Sequence, residues 1–266
     1  MVCRASDAEI RMKKKLSALL CLVLFFGWVR ASYAQESPSG QAWKFKNKTT
    51  FNLVAVTGNS DSVSLSGTEK FTAKKKTVTN TLTSGITYAR DNVFNDSLPA
   101  ATTGRDIFFK DKLLWEFHPK IYVYGGTGWL THRGAGIDNQ IDALTGLGYK
   151  LLLSGRHSLS LEAGYNLMNR DRIAPFPDEG VTHNASFGFD YLWQITYKAS
   201  LENETDNVFD LRMPESVRIT SLTEIEVEIV KHLAVSLTFK VRFDNRPVPT
   251  FRKLDTTSTA GIVVLF

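Results

Sequence analysis

Charged side chains recur at every second position in two neighbouring stretches near the C-terminal end of the chain. Because a β-strand places successive side chains on opposite faces, the charges of each stretch share one strand face. The glutamates of the first stretch are expected to form cross-strand ion pairs with the basic residues of the next predicted strand and with one lysine of the previous strand, so these groups are predicted to line a polar interior. The sequence leaves open whether they conduct solutes or only fill and stabilise that interior. The predicted interior charges are Lys198, Glu224, Glu226, Glu228, Lys240 and Arg242.

Side chains that could catalyse a reaction do not form a recognisable set. The 5 histidines fall mostly at predicted strand ends or turns, and none has the helical pair spacing of zinc proteases. A phospholipase-like site needs a serine near a histidine on one strand, but His183 is followed two residues later by Ala185. Both cysteines, Cys3 and Cys21, lie close to the N-terminus. We therefore predict no catalytic, cofactor-binding or metal site, with an outer-membrane enzyme of lipase or protease type as an alternative.

Composition and charge narrow the class of protein. The chain has 266 residues, is 43% hydrophobic and carries a formal net charge of +5. The basic residues are spread along the chain and no nucleic-acid-binding motif accompanies them, so no nucleic-acid partner is predicted. After the N-terminus, no apolar run approaches the roughly 20 residues that a membrane-spanning helix needs. A transmembrane β-barrel has the same average composition, because only alternate residues face lipid.

The N-terminus has the arrangement of an export signal. Lys13 to Lys15 are basic, the stretch from Leu16 to Val29 is mainly apolar, and small residues follow at the positions that a signal peptidase reads. We predict that residues 1–34 are a signal peptide, with Met12 as an alternative start. Residues 35–42 are polar and predict a short flexible segment. Both cysteines would then be absent from the mature protein.

From residue 43 onwards the dominant period of hydrophobicity is two. In the stretch from Leu233 to Phe243, apolar side chains occupy every odd position. These segments are longer than ordinary soluble strands and suit tilted membrane strands. The predicted strands are 43–57, 63–74, 77–90, 105–118, 121–132, 140–153, 158–171, 182–193, 195–207, 215–230, 233–244 and 251–266.

The connections between these strands alternate between long and short. Bacterial membrane barrels have short periplasmic turns and longer outer loops, so the rhythm favours an even strand number with both termini periplasmic. We predict an all-β fold over 43–266: an up-and-down antiparallel transmembrane β-barrel of about 12 strands in the bacterial outer membrane. Lipid and lipopolysaccharide are its predicted surroundings, and a soluble periplasmic all-β binding protein is the remaining alternative.

The apolar parity should face lipid, with aromatic residues at the two membrane interfaces. Trp43, Trp115 and Trp193 fall near predicted periplasmic strand ends. Two carboxylates break the pattern, because Glu69 and Asp111 would point at lipid if the alternation held. We expect a β-bulge near each of them to turn these side chains inward.

The first and last strands carry a family resemblance. The segment from Val56 to Ser60, followed by Val63 to Gly67, resembles the YdiY-like family of salt-induced outer-membrane proteins, the domain of unknown function 481. The resemblance implies a Gram-negative envelope barrel and offers no catalytic residues. We predict a non-enzymatic barrel, either structural or a narrow passive pore for ions and small solutes, that responds to salt or osmotic conditions. The final alternating strand with Phe266 looks like the signal read by the barrel assembly machinery, which is the predicted partner. The oligomeric state stays open.

Overall fold

The computed structural model describes residues 42–56, 62–91, 101–173, 179–247 and 253–266. The predicted signal peptide and almost all of the flexible segment that follows it lie outside these residues. The strands are β1 (Lys44–Val56), β2 (Ser62–Lys75), β3 (Val78–Asp91), β4 (Ala101–His118), β5 (Ile121–His132), β6 (Ile137–Leu153), β7 (His157–Arg172), β8 (Gly180–Gln194), β9 (Ala199–Asp210), β10 (Val217–Val230), β11 (Leu233–Asp244) and β12 (Leu254–Leu265).

Each strand pairs antiparallel with its neighbours in the chain, and the last strand returns to the first. The closing pair of strands places Phe51 opposite Ile262. The backbones of Asn47 and Phe266 extend this pairing, each donating an N–H to the other's carbonyl oxygen at 2.9 Å. Closure leaves no unpaired sheet edge, which is the condition for a β-sheet to cross a bilayer. The predicted twelve-stranded up-and-down barrel is confirmed.

The alternation of connection lengths is also present. Connections at one end of the barrel have two to four residues, and those at the other end have four to nine. The largest difference from prediction at a short turn lies before β9, which begins at Ala199 rather than at Ile195. The Thr196 hydroxyl accepts hydrogen bonds from the backbone N–H groups of Lys198 and Ala199, at 3.2 and 3.0 Å, and so closes a longer turn.

The outer surface of the barrel is apolar. In most strands, large hydrophobic side chains at odd-numbered positions are exposed, whereas their even-numbered neighbours point inward. In β3 and β12 the parity is reversed, so that Tyr88 and Ile262 face outward beside Leu65 and Phe51. A soluble β-protein would bury such side chains in a core, so this surface requires lipid around it. The protein is therefore a membrane-spanning β-barrel, the fold of bacterial outer-membrane proteins. Examples of the exposed outward side chains are Phe45, Phe51, Leu53, Leu147, Phe187, Leu237 and Ile262.

Aromatic residues gather on the outer surface near the strand ends. At the end with the short turns, Trp43 stacks on Phe45 with ring centroids 6.4 Å apart, and Trp115 lies 6.0 Å from Phe117. At the opposite end, Nε1 of Trp129 donates a hydrogen bond of 2.7 Å to Oδ1 of Asn139. Rings with one polar edge suit the boundary between lipid and water, so these residues mark the limits of the membrane-spanning wall.

The two outward carboxylates are not turned inward, so the predicted bulges are wrong. The pairing of β2 with β1 and β3 runs without a register shift through Glu69, and that of β4 with β3 and β5 does so through Asp111. Each carboxylate instead accepts a hydrogen bond on the outer surface. The Thr49 hydroxyl donates to Glu69, and Nδ2 of Asn80 donates to Asp111 at 2.8 Å. Local hydrogen bonding lowers the free-energy cost of placing a carboxylate beside lipid.

Among the described residues, no helix has the length and apolar character that crossing a membrane requires.

Candidate functional site in the barrel lumen

The lumen is lined by the even-numbered side chains of most strands and by the odd-numbered side chains of β3 and β12, and most of these are polar or charged. Two rings interrupt this polar lining, because Tyr122 and Tyr124 on β5 are almost fully buried. They lie over a strip of glycines, and a Cβ atom at Gly148 would collide with the ring of Tyr122. The hydroxyl of Tyr122 donates a hydrogen bond of 2.9 Å to Glu162, which fixes one carboxylate of the lumen.

Ion pairs between strands that are not adjacent cross the lumen near its middle. Lys70 on β2 reaches Glu202 on β9, with Nζ and Oε1 3.2 Å apart. Lys112 on β4 approaches Glu162 on β7 to 2.7 Å. We call these contacts, together with those of Lys48 described next, the central bridges. Because β2 and β9 lie on opposite sides of the twelve-stranded wall, the first of these pairs spans the interior.

The glutamates predicted to pair with neighbouring strands face a different partner. Nζ of Lys48 on β1 lies 2.8 Å from Oε2 of Glu224 and 2.7 Å from Oε2 of Glu226. The expected contacts of these two glutamates with Lys198, Lys240 and Arg242 are therefore wrong. The register explains the difference. It sets the glutamates opposite Thr238 and Ser236, which lie nearer the short-turn end of β11 than its basic residues do.

The other predicted lumen residues occupy separate places. Glu228 lies opposite Ala234, and its backbone N–H donates to the carbonyl oxygen of Lys198 at 2.8 Å. Lys198 is exposed in the short turn before β9, outside the central lumen. Nζ of Lys240 lies 6.0 Å from the ring centre of Phe108. The predicted set is thus divided between two levels of the barrel and a turn.

Arginines and carboxylates form a second, tighter group towards the end with the long connections. Oε1 and Oε2 of Glu179 lie 2.6 Å from Arg172 and from Arg218, respectively, and Oε1 lies 3.7 Å from Arg170. Arg170 and Arg218 also contact Asp244, at 3.3 and 3.5 Å. We call these five residues the outer cluster. Its members come from β7, β10, β11 and the residue before β8, so it ties together four strands.

One histidine has a carboxylate partner of the kind found in catalytic sites. Nδ1 of His132 lies 2.6 Å from Oδ1 of Asp106, and the other ring nitrogen contacts Nη1 of Arg242. A catalytic histidine would direct that second nitrogen at a nucleophile or at substrate, but here a guanidinium occupies the position. In the described part of the chain, no group of three or more His, Cys, Asp or Glu side chains is arranged to hold a metal ion.

Sequence reasoning placed many of these charges on the interior face but missed how they combine. The central bridges join residues up to 178 positions apart, as in Lys48 and Glu226, and strand alternation carries no information on contacts across a lumen. The outer cluster was missed because Glu179 lies in a connection, outside the periodic pattern. The Tyr122–Tyr124 pair did leave a signal, since glycines recur on β6 at 146 and 148 and on β7 at 164, where the rings need space.

Similar solved structures are bacterial β-barrels. An outer membrane channel from Pseudomonas putida F1 is 10% identical, covers 88% of this chain and 98% of its own, and has a TM-score of 0.47. The translocator domain of autotransporter NalP from Neisseria meningitidis is 11% identical, with coverages of 94% and 98% and a TM-score of 0.45. The KdgM porin is 9% identical, with coverages of 84% and 99% and a TM-score of 0.44. At these identities the likeness concerns the fold alone.

Sequence comparison assigns the chain to one family. No curated protein sequence matches it significantly. Residues 49–266, which include almost the whole barrel, match the family described as "Protein of unknown function, DUF481". The chain therefore belongs to the DUF481 family.

Proposed function

We propose that this barrel is a narrow passive pathway for ions and small solutes across the outer membrane. The observation that carries the proposal is the bridge between Lys70 and Glu202, which crosses the lumen in the middle of a closed barrel. Long side chains from facing walls take up much of the space there, so a pathway past them admits only small solutes. A barrel of 12 strands lies between filled eight-stranded barrels and open porins.

The solvent accessibility of this bridge favours an open pathway rather than a permanently sealed lumen. The side chains of Lys70 and Glu202 keep 39% and 43% of their surface exposed to solvent. Exposed ion pairs contribute about 0–1 kcal/mol, so thermal motion opens and closes such a contact readily. Polar solutes in the lumen can then exchange with either partner, whereas a deeply buried pair would block their passage.

Planar-bilayer recording of the purified full-length protein tests this proposal. The wild type is expected to conduct, and the double variant Lys70→Ala/Glu202→Ala is expected to raise single-channel conductance about twofold by removing the central obstruction. The double variant Lys231→Ala/Glu215→Ala removes the same two residue types from exposed connections, and is expected to leave conductance unchanged. Absence of conductance in both the wild type and the lumen variant would overturn the proposal.

The outer cluster favours a second candidate, a structural envelope barrel. Its arginines and carboxylates are nearly buried and join four strands, which stabilises the wall and narrows the lumen. On this alternative the same recordings are silent, and they remain silent when the central bridge is removed. Conductance in the wild type argues against a purely structural role.

We also propose that ionic strength acts on this pathway, in line with the salt-induced family that the sequence resembles. Dissolved ions screen exposed charge pairs, with a Debye length of about 10 Å at 0.1 M and about 3 Å at 1 M. The central bridges would weaken as salt rises. For assembly, we propose that the machinery that inserts outer-membrane barrels reads the final strand, on which Phe266 is 67% exposed.

A further inference from the structure

We propose that the lumen prefers small zwitterions, which carry an ammonium and a carboxylate group, over uncharged solutes of the same size. This inference rests on the proposed pathway and specifies its substrate class. It follows from how the two signs of charge are distributed around the lumen.

The central lumen has a basic side and an acidic side. The basic side is formed by even positions of β1, β2 and β4, and comprises Lys46, Lys48, Lys70, Lys110 and Lys112. The acidic side is formed by even positions of β7, β9 and β10, and comprises Glu162, Glu202, Glu204, Glu224 and Glu226.

Contacts across the lumen confirm that these two sides face each other. Each central bridge joins one lysine of the basic side to the acidic side. Lys70 interacts electrostatically with Glu204 as well as with Glu202. Two carboxylates on the basic side lie away from its centre: Glu116 towards the short-turn end, where Lys74 and Lys150 neutralise it, and Asp106 towards the opposite end, beside His132. An electric field therefore points across the central lumen, from the lysines to the glutamates.

Such a field acts differently on cations, anions, uncharged molecules and zwitterions. A cation is attracted to one side and repelled by the other, and an anion experiences the reverse. An uncharged molecule gains no ionic contact with either side. A zwitterion can turn its carboxylate towards the lysines and its ammonium towards the glutamates, so both of its charges are stabilised at once.

Replacing an ion pair by contacts with a zwitterion costs the least free energy at the bridge between Lys70 and Glu202. The pair is the most exposed of the central bridges, and its 3.2 Å contact is longer than the 2.7 Å contact of Lys112 with Glu162. A zwitterion entering between the two side chains replaces one ionic contact with two. Since exposed ion pairs are individually weak, the resulting preference is modest, about three- to fivefold.

Liposome swelling with two isomeric probes tests the inference. Glycine is a zwitterion, and its isomer glycolamide is uncharged and of nearly the same size. In liposomes that contain the wild-type barrel, glycine is expected to enter about three to five times faster than glycolamide. The ratio is expected to fall towards one in Lys70→Gln/Glu202→Gln. It is expected to persist in Lys70→Glu/Glu202→Lys, because a zwitterion can reverse its orientation.

Two controls keep the outcomes separate. Lys231→Gln/Glu215→Gln neutralises the same residue types outside the lumen and should retain the wild-type ratio. Folding of every variant is checked by the difference in gel mobility between boiled and unboiled samples.

Entry of both isomers at equal rates through the wild type overturns the zwitterion preference but leaves the pathway intact. Failure of both isomers to enter, with no bilayer conductance, overturns the proposed function itself and the preference with it.

Discussion

The central bridges and the outer cluster hold opposite charges together in two different ways. In the central bridges, each flexible lysine reaches across the lumen to one or two glutamates, and Lys70 and Glu202 remain more than one-third exposed. In the outer cluster, Glu179 contacts three arginines, and its side chain is only 12% exposed. The same types of charge therefore form an accessible contact at one level and an interlocked network at the other.

The chemistry of the basic residue explains much of this difference. A guanidinium group presents several N–H donors in a fixed plane, so Arg170 and Arg218 each contact both Glu179 and Asp244. A lysine ammonium is a compact charge on a flexible stem, which suits a contact that opens and closes. The outer cluster should therefore govern stability, and the central bridges should govern what passes.

The largest effect on stability is expected when the outer cluster loses its shared carboxylate. Glu179→Gln leaves three arginines without their common negative partner in a buried site, and should lower the free energy of unfolding by about 3 kcal/mol. Urea unfolding of the protein in lipid vesicles, followed by tryptophan fluorescence, measures the change. Asp138→Asn breaks an exposed pair with Arg133 and should cost less than about 1 kcal/mol. Equal stability of the two variants would contradict the structural role of the cluster.

At the central level, removing charges should change ion selectivity more than it changes the stability of the barrel. Replacing Glu224 and Glu226 of the acidic side by glutamine, together with Glu228 on the same strand, removes three negative charges from one wall and should shift the permeability ratio towards anions by about threefold. The reversal potential in a KCl gradient measures this ratio. Asp138→Asn combined with Glu215→Gln, at exposed positions, serves as the control. An unchanged reversal potential in the triple variant would mean that these glutamates do not face the path of the ions.

A smaller effect should distinguish the two levels by their response to salt. Raising KCl from about 0.1 to about 1 M should increase wild-type conductance more than it increases bulk conductivity, because screening weakens the exposed bridges. In Lys70→Ala/Glu202→Ala, conductance should follow bulk conductivity. Strictly proportional conductance in the wild type would show that the bridges do not limit flow.

The smallest effect on the folded barrel is expected at the end of β12, outside both levels. Phe266 is 67% exposed and pairs with Asn47 through its backbone, so Phe266→Ala should change the free energy of unfolding by less than about 1 kcal/mol. We expect it nevertheless to lower the amount of protein in the outer membrane, which quantitative blotting of membrane fractions measures. Phe239→Ala, on the lipid-facing side of β11, is the matched control. Normal amounts of the Phe266→Ala protein would rule out an assembly role for this side chain.

The sequence by itself determined the number of strands, their order and the face on which most side chains lie. These features are local, because the period of two and the turn residues between strands can be recognised from residues that are consecutive in the chain. The predicted bounds of β5 and β11 agree with the structure at both ends. The turn before β9 was misplaced because its length depends on hydrogen bonds to one threonine hydroxyl, at Thr196, which no periodic pattern records.

Only the tertiary structure decided which charges meet. Lys48 is bonded to Glu224 because the closure of β12 onto β1 curves the wall and brings β10 within reach across the interior. Adjacent-strand reasoning assigned the glutamates to β11 instead, since a sequence gives the register of neighbouring strands but not the curvature of the wall. The outward placement of Glu69 and Asp111 was decided in the same way, because their hydrogen-bond partners lie on other strands.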